Sequence, residues 1–430
     1  MKKGFLFYLL LTIENGLFAQ SYKVDTIMYN GPECIQMVIL GDGYTESELG
    51  KFEEDAIELS DKFLQDFPWK DYKNFFNVYF IKTASNVSGA GLTPDTPIDN
   101  FFQSTYGNNG IDRLLVPNYG IVYTLLRQTV PDYDFPIVIV NHDKYGGCGG
   151  TVICVSNNSQ AFDNIVSHEA GHSIGRLADE YWYNGYESPN MTQESDPEKV
   201  KWRNWIGLGE IGIYPYEENP SWYRPHQNCR MRRNGAPFCA VCRQALIRSI
   251  QQFTNSVTDY YPKDEGVSSF RMPHNIEMSR TEAIKKEMAA IEPFVCGNGL
   301  YEFGLNLIYT IPNTINVSWF LDGKELDNHN SKLELDMNTI SAGESHTLLA
   351  IVEDETPYIK NDTRYYNEQD AIWNCVGWKI VKDNTETPIK SIINKPFEDD
   401  QLFYYNLQGQ RIENPGKGLY IKNGKKIIIE

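Results

Sequence analysis

Ala161-Phe-Asp-Asn-Ile-Val-Ser-His-Glu-Ala-Gly-His-Ser-Ile-Gly-Arg-Leu177 is the stretch on which the reading of this chain turns. Phe162, Ile165, Val166, Ala170, Ile174 and Leu177 recur at three- and four-residue steps, the period of an amphipathic helix. On such a helix His168 and His172 share one face, one turn apart. Two imidazoles so spaced can bind one Zn²⁺ from the same side. Glu169 directly follows the first and can act on a water at the ion. Gly171 and Gly175 are costly inside a helix and point to close packing or to a helix end. The spacing predicts a metal-dependent peptidase with Glu169 as general base; the plainer alternative is a surface helix with two polar-face histidines.

A catalytic zinc takes three protein ligands and keeps one position open. Through Gly175 the stretch resembles the metzincin motif His-Glu-x-x-His-x-x-Gly-x-x-His, whose last position can also be Asp. Ala178 stands where that ligand is expected, with Asp179 one residue later and Glu180 two later. The resemblance implies Asp179 as the third ligand and Glu180 as the alternative. The longer string from His168 to Tyr181 resembles the signature of the IgA peptidase family of secreted bacterial zinc metallopeptidases. Leu40-Gly-Asp-Gly-Tyr-Thr45, Phe76-Asn-Val-Tyr79 with Ser88-Gly89, and Tyr223-Arg-Pro-His-Gln-Asn-Cys-Arg-Met231 with Phe238-Cys-Ala-Val-Cys242 resemble further blocks of that family. The likeness implies an α/β zincin-like catalytic domain, a twisted mixed sheet packed on the active-site helix. It also implies a structural Met231 in a turn under the metal, and protein or glycoprotein substrates such as host immunoglobulin.

Strands alternating with helices suit that fold. Cys34–Leu40, Asn77–Lys82, Gly120–Arg127, Phe135–Asn141 and Thr151–Ser156 read as strands, and Glu46–Phe67, capped by Thr45, as a helix. The glycine-rich run Tyr145–Gly150 precedes the histidine helix. In zincins an edge strand in that place holds the peptide through main-chain hydrogen bonds, so Tyr145, Gly146 and Gly147 are the expected substrate-binding residues. A plain hairpin loop is the competing reading. Trp182–Tyr223 is long, irregular and aromatic, and Ala240–Phe253 returns to helix.

Residues 21–265 thus form the expected catalytic domain. Short alternating runs over 290–385 read as a small all-β sandwich, immunoglobulin-like, and 386–430 as a β tail with a sorting or attachment role. Residues 1–20, with Met1-Lys-Lys3 before an apolar run and Ala19 near its end, read as a signal peptide. The expected location is outside the cell or on the surface of a Gram-negative bacterium. No stretch is apolar for long enough to span a membrane. The net charge of −18 argues against a nucleic-acid partner, which needs a basic surface. Oligomeric state is not legible.

The eight cysteines, in an exported chain, favour disulfides. The expected pairs are Cys148 with Cys154, Cys229 with Cys239 or Cys242, and Cys296 with Cys375. The rival reading joins His226, Cys229, Cys239 and Cys242 in a structural zinc site. At the level of function the rival is a surface binding protein that keeps a zincin scaffold and grips a glycan or protein through its β domain. The intact Glu169 argues against it.

Overall fold

Alternate residues of Ile35–Asp42 go to opposite sides, and both sides are buried. Met37 and Ile39 join one core, Val38 and Leu40 another. This strand lies inside the main sheet of the structure, a computed structural model that describes residues 22–183, 185–263, 266–273, 280–360 and 371–383 and short strands beyond 403. The expected signal peptide and much of the 386–430 tail lie outside the described residues; of the tail, Gly418–Lys422 pairs antiparallel with Lys425–Ile429.

The main sheet contains β1 (Val24–Met28), β2 (Ile35–Asp42), β3 (Phe76–Ile81), β4 (Phe135–Val140), β5 (Gly147–Cys148) and β6 (Ile153–Ser156), in the order β1-β3-β2-β4-β6-β5. The four inner strands run parallel; β1 and β5 are antiparallel edges. Helix α1 (Leu49–Gln65) covers one face through Phe52, Ala56, Leu59 and Phe63. Helix α2 (Tyr119–Thr129) covers the other through Val122, Leu125 and Leu126. This is the mixed α/β sheet expected, with one correction: Gly120–Arg127 is helical. Asn118 caps it by accepting from the Gly120 N–H at 3.1 Å. Tyr119, Ile121, Val122 and Tyr123 have strand propensity, but burying a three-and-four-spaced stripe against the sheet outweighs it.

The histidine helix begins at Ser159–Ala161, passes through a π turn at Phe162–Val166 and ends as α3 (Ser167–Ser173). Ile165 and Val166 seat it on the α1 side of the sheet. Helix α4 (Ala240–Phe253) packs against the same core through Val241, Leu246, Ile247 and Ile250.

Beyond α4, one sheet pairs Val257–Tyr261 and Lys332–Asp336 with Leu300–Leu307. A second runs Val267–Pro273, Ala371–Lys382, Ser345–Asp354, Ile315–Leu321 and Lys324–Glu325. The two meet where Phe303 of the first lies edge-on to Trp378 of the second, ring centres 5.3 Å apart, and Trp319 stacks on Trp378. The β unit therefore starts at Val257 rather than near residue 290. Only the two ends of that short strand, Val257 and Tyr261, are buried, which gives a weak sequence signal. The unit docks through Asp354, which accepts from the hydroxyl of Tyr72, in the turn before β3, at 2.6 Å and from the Gln251 amide of α4 at 2.8 Å.

All eight cysteines are buried thiols, with no disulfide among them. Strand register rules out Cys296 with Cys375: Cys296 lies beside Lys382, seven residues from Cys375 along one strand, or about 23 Å.

Candidate metal centre

The α-helical turn of α3 sets His168 and His172 side by side, ring centres 5.0 Å apart. Each ring is held from behind. His168 Nδ1 donates to the Arg230 carbonyl at 3.0 Å and His172 Nδ1 to the Leu177 carbonyl at 2.7 Å. These bonds assign the neutral tautomer that leaves both Nε2 lone pairs facing forward. The second bond needs a sharp reversal after α3, and Arg176 makes it at φ 52°, a left-handed position more often taken by glycine. The helix thus ends near Ser173, short of the Leu177 that its periodicity suggested.

That reversal brings Asp179 back over the rings. Its Oδ1 lies 3.2 Å from His168 Nε2 and 3.3 Å from His172 Nε2, yet it is buried without a well-formed hydrogen bond. Three lone-pair atoms converge with no proton between them in this tautomer. The donor set of two imidazoles and a carboxylate fits a divalent cation such as zinc. Without the ion, burial works to lower the His172 pKa, but the adjacent Asp179 carboxylate outweighs it and raises it to about 9. Burial alone would raise Asp179; the two imidazoles hold it well below the usual carboxylate range.

Glu169 faces Gly149, where a Cβ would collide with its Oε2. Burial pushes its pKa up, opposed by the histidines and by Arg113. Tyr181 stacks over His168 at 6.3 Å, and burial, with the charges of Asp179 and Glu169, raises its phenol to about 12. Met231 is fully buried beneath α3; a Cβ on Gly171 would stand 2.6 Å from its Sδ. Its carbonyl accepts from the Glu180 N–H at 2.7 Å. Glu180 itself turns away from the histidines toward Cys229, Cys239 and Cys242.

Gly146 and Gly147 are buried, with the Gly147 N–H donating to the Arg113 carbonyl and the Gly146 carbonyl accepting from Ser156. Tyr145 is half-buried and its hydroxyl accepts from the Asn234 amide at 3.2 Å. In the turn that follows, Gly150 and Thr151, with His172 and Ser173, border a groove of 640 Å³ that Tyr123 and Tyr133 extend.

Residues 29–219 match the model of IgA Peptidase M64. This segment belongs to the IgA peptidase family. The chain accordingly carries a peptidase domain, whose substrates are polypeptides, and the family points to a metal cofactor. No curated protein matches the chain. Met231, Arg230 and the three clustered cysteines lie beyond the matched segment.

Reading the sequence did not bring out Arg113, Tyr181 or the carbonyls of Leu177 and Arg230, and it placed Gly149 only within the Tyr145–Gly150 run. Tyr181, within the quoted signature, was the one with a signal. The carbonyls carry none, because any residue supplies one.

Proposed function

We propose that this IgA peptidase family member is a zinc-dependent endopeptidase, with His168, His172 and Asp179 as metal ligands and Glu169 as general base. The observation that carries the reading is the convergence of two Nε2 atoms and one otherwise unsatisfied carboxylate oxygen beside the half-buried Glu169. A divalent ion held there supplies Lewis acidity, polarising the scissile carbonyl and acidifying the attacking water. Glu169 accepts the proton of that water and passes it to the leaving amine. Tyr181, protonated at neutral pH, can donate to the developing oxyanion. The imidazoles stay neutral and oriented through the Arg230 and Leu177 carbonyls. The peptide lies along the Gly149–Thr151 edge, with side chains entering the Tyr123–Tyr133 groove. No acyl-enzyme forms, so no nucleophilic serine or cysteine is needed.

The family name supports immunoglobulin A, a glycoprotein, as the first substrate to try. The apolar start of residues 1–20 supports export to the cell surface or beyond. Among the described residues no helix is long and apolar enough to cross a membrane. The facing sheets from Val257 onward support a sandwich that flanks the catalytic unit. Incubating the full chain with immunoglobulin A and with casein tests the activity. Cleavage that stops with a chelator and returns with zinc is expected; cleavage insensitive to chelator contradicts the reading.

A further inference from the structure

Asp179 and Glu180 are neighbours that serve opposite sides of one turn. Asp179 meets the histidines; Glu180 is fully buried against Cys229, Cys239 and Cys242. One donor atom from each of these four lies within 4.8 Å of all the others. Cys229 Sγ is 3.6 Å from Cys242 Sγ, and Cys242 Sγ is 3.2 Å from Glu180 Oε1. A tetrahedral zinc with Zn–S bonds of about 2.3 Å separates its sulfurs by roughly 3.8 Å, whereas a disulfide requires about 2.05 Å. The observed spacing is that of a ligand tetrahedron.

The carboxylate supplies the independent sign. Glu180 Oε1 accepts from the Asn190 amide at 3.0 Å, but Oε2 is buried with no hydrogen-bond partner. An orphaned carboxylate oxygen among thiols is costly unless a cation shares the space. A disulfide between any two of the sulfurs would remove the ligand set and leave the third thiol, and Glu180, without a counterpart. The Cys239 N–H donates to Cys229 Sγ at 3.3 Å, and Cys239 stands at the N-terminal cap of α4, where the helix end is partly positive.

We propose that Glu180, Cys229, Cys239 and Cys242 bind a second, structural zinc ion in a closed four-ligand site behind the histidine centre. The composition differs from the His226 set suggested by spacing alone. His226 Nδ1 accepts from the Asn228 N–H, and its Nε2 lies 3.6 Å from Glu210, outside the cluster. The thiols bind as thiolates and release their protons to solvent. The site clamps the catalytic turn from both ends. Glu180 follows Asp179, and Cys229 precedes Arg230, whose carbonyl orients His168, and Met231, which supports Gly171. With two such anchors, the histidine centre is held by zinc–ligand bonds rather than by loop packing.

The test uses the full chain with His168→Ala and His172→Ala together, which leaves the cysteine site as the remaining centre. If the double variant shows the wild-type circular dichroism, it should retain about one zinc per chain by elemental analysis. The wild type loaded with Co²⁺ should show the near-ultraviolet sulfur-to-cobalt charge-transfer band, which two imidazoles and a carboxylate cannot give. This second measurement decides the matter if the variant misfolds. A folded variant without metal, a cobalt form without that band, or a disulfide among Cys229, Cys239 and Cys242 by mass spectrometry would overturn the proposal. None of these readouts uses peptide cleavage, so they fail or succeed apart from the peptidase reading.

Discussion

Glu169 is the residue whose loss should separate chemistry from binding. One of its carboxylate oxygens lies within 4.8 Å of a ring nitrogen of each histidine, close enough to act on a water at the ion. Because Glu169 serves as a base rather than a ligand, Glu169→Gln should keep the metal content while lowering kcat about 10²–10⁴-fold. Elemental analysis beside single-turnover kinetics checks both halves. The His172–Asp179 pair gives a second expectation, in chelated protein. The His172 pKa is raised from 6.5 to about 9 on folding, so its contribution is complete below pH 6.5 and is lost as pH rises toward 9. Asp179 is lowered, so its contribution is present above the ordinary carboxylate range and fades only in strong acid. Urea midpoints of the chelated protein should therefore fall between pH 6.5 and 9, on the order of 1–3 kcal/mol. His172→Ala should flatten that slope, and an unchanged slope would rule the pair out as its source. At this scale His168, Glu169 and His172 were legible because a helix fixes what lies one turn away. Asp179 needed the family likeness, since the Arg176 reversal that delivers it has no periodic signal.

Among the elements, α3 depends on close approach at its glycines. Gly171→Ala would bring a Cβ to 2.6 Å from Met231 Sδ and 3.3 Å from Phe238. The better helix propensity of alanine contributes about 1 kcal/mol, against about 1–3 kcal/mol of overpacking. The variant should melt lower than wild type by scanning calorimetry and bind the metal less tightly; an unchanged Tm would show that Met231 gives way freely. The end of α1 has a parallel role. Asp66 forms an ion pair with Arg230 and accepts from the Ser167 hydroxyl at 2.8 Å, fixing the segment whose carbonyl holds His168. Asp66→Ala should weaken metal affinity about 10–100-fold, read by chelator competition. The buried strands and α1 were legible from continuous apolar runs and helical period. Tyr119–Thr129 was not, because its β-branched and aromatic residues imitate a strand until the Asn118 cap and the buried stripe are seen together. At Gly146–Gly147 glycine spacing marks a tight place without saying which main-chain groups are bonded within the chain, here the Gly147 N–H and the Gly146 carbonyl.

For the molecule as a whole, Asp354 ties the β unit to the catalytic unit through Tyr72 and Gln251, with Phe67 packed against Tyr358 beside it. Asp354→Ala leaves buried donors unsatisfied and should cost about 1–3 kcal/mol, seen as a lower unfolding midpoint and earlier protease cleavage near Asn255. The change from mixed to alternating patterns is what the sequence offers for a second unit; the pairing of Val257–Tyr261 with Leu300–Leu307 joins residues far apart in the chain and leaves no local pattern. The account as a whole rests on one ion between two rings. A crystal of the full chain measured at and below the zinc absorption edge gives an anomalous difference map that locates it. The account predicts a peak about 2.0–2.2 Å from His168 Nε2, His172 Nε2 and Asp179 Oδ1. A zinc-containing crystal with no peak at those three atoms would contradict it.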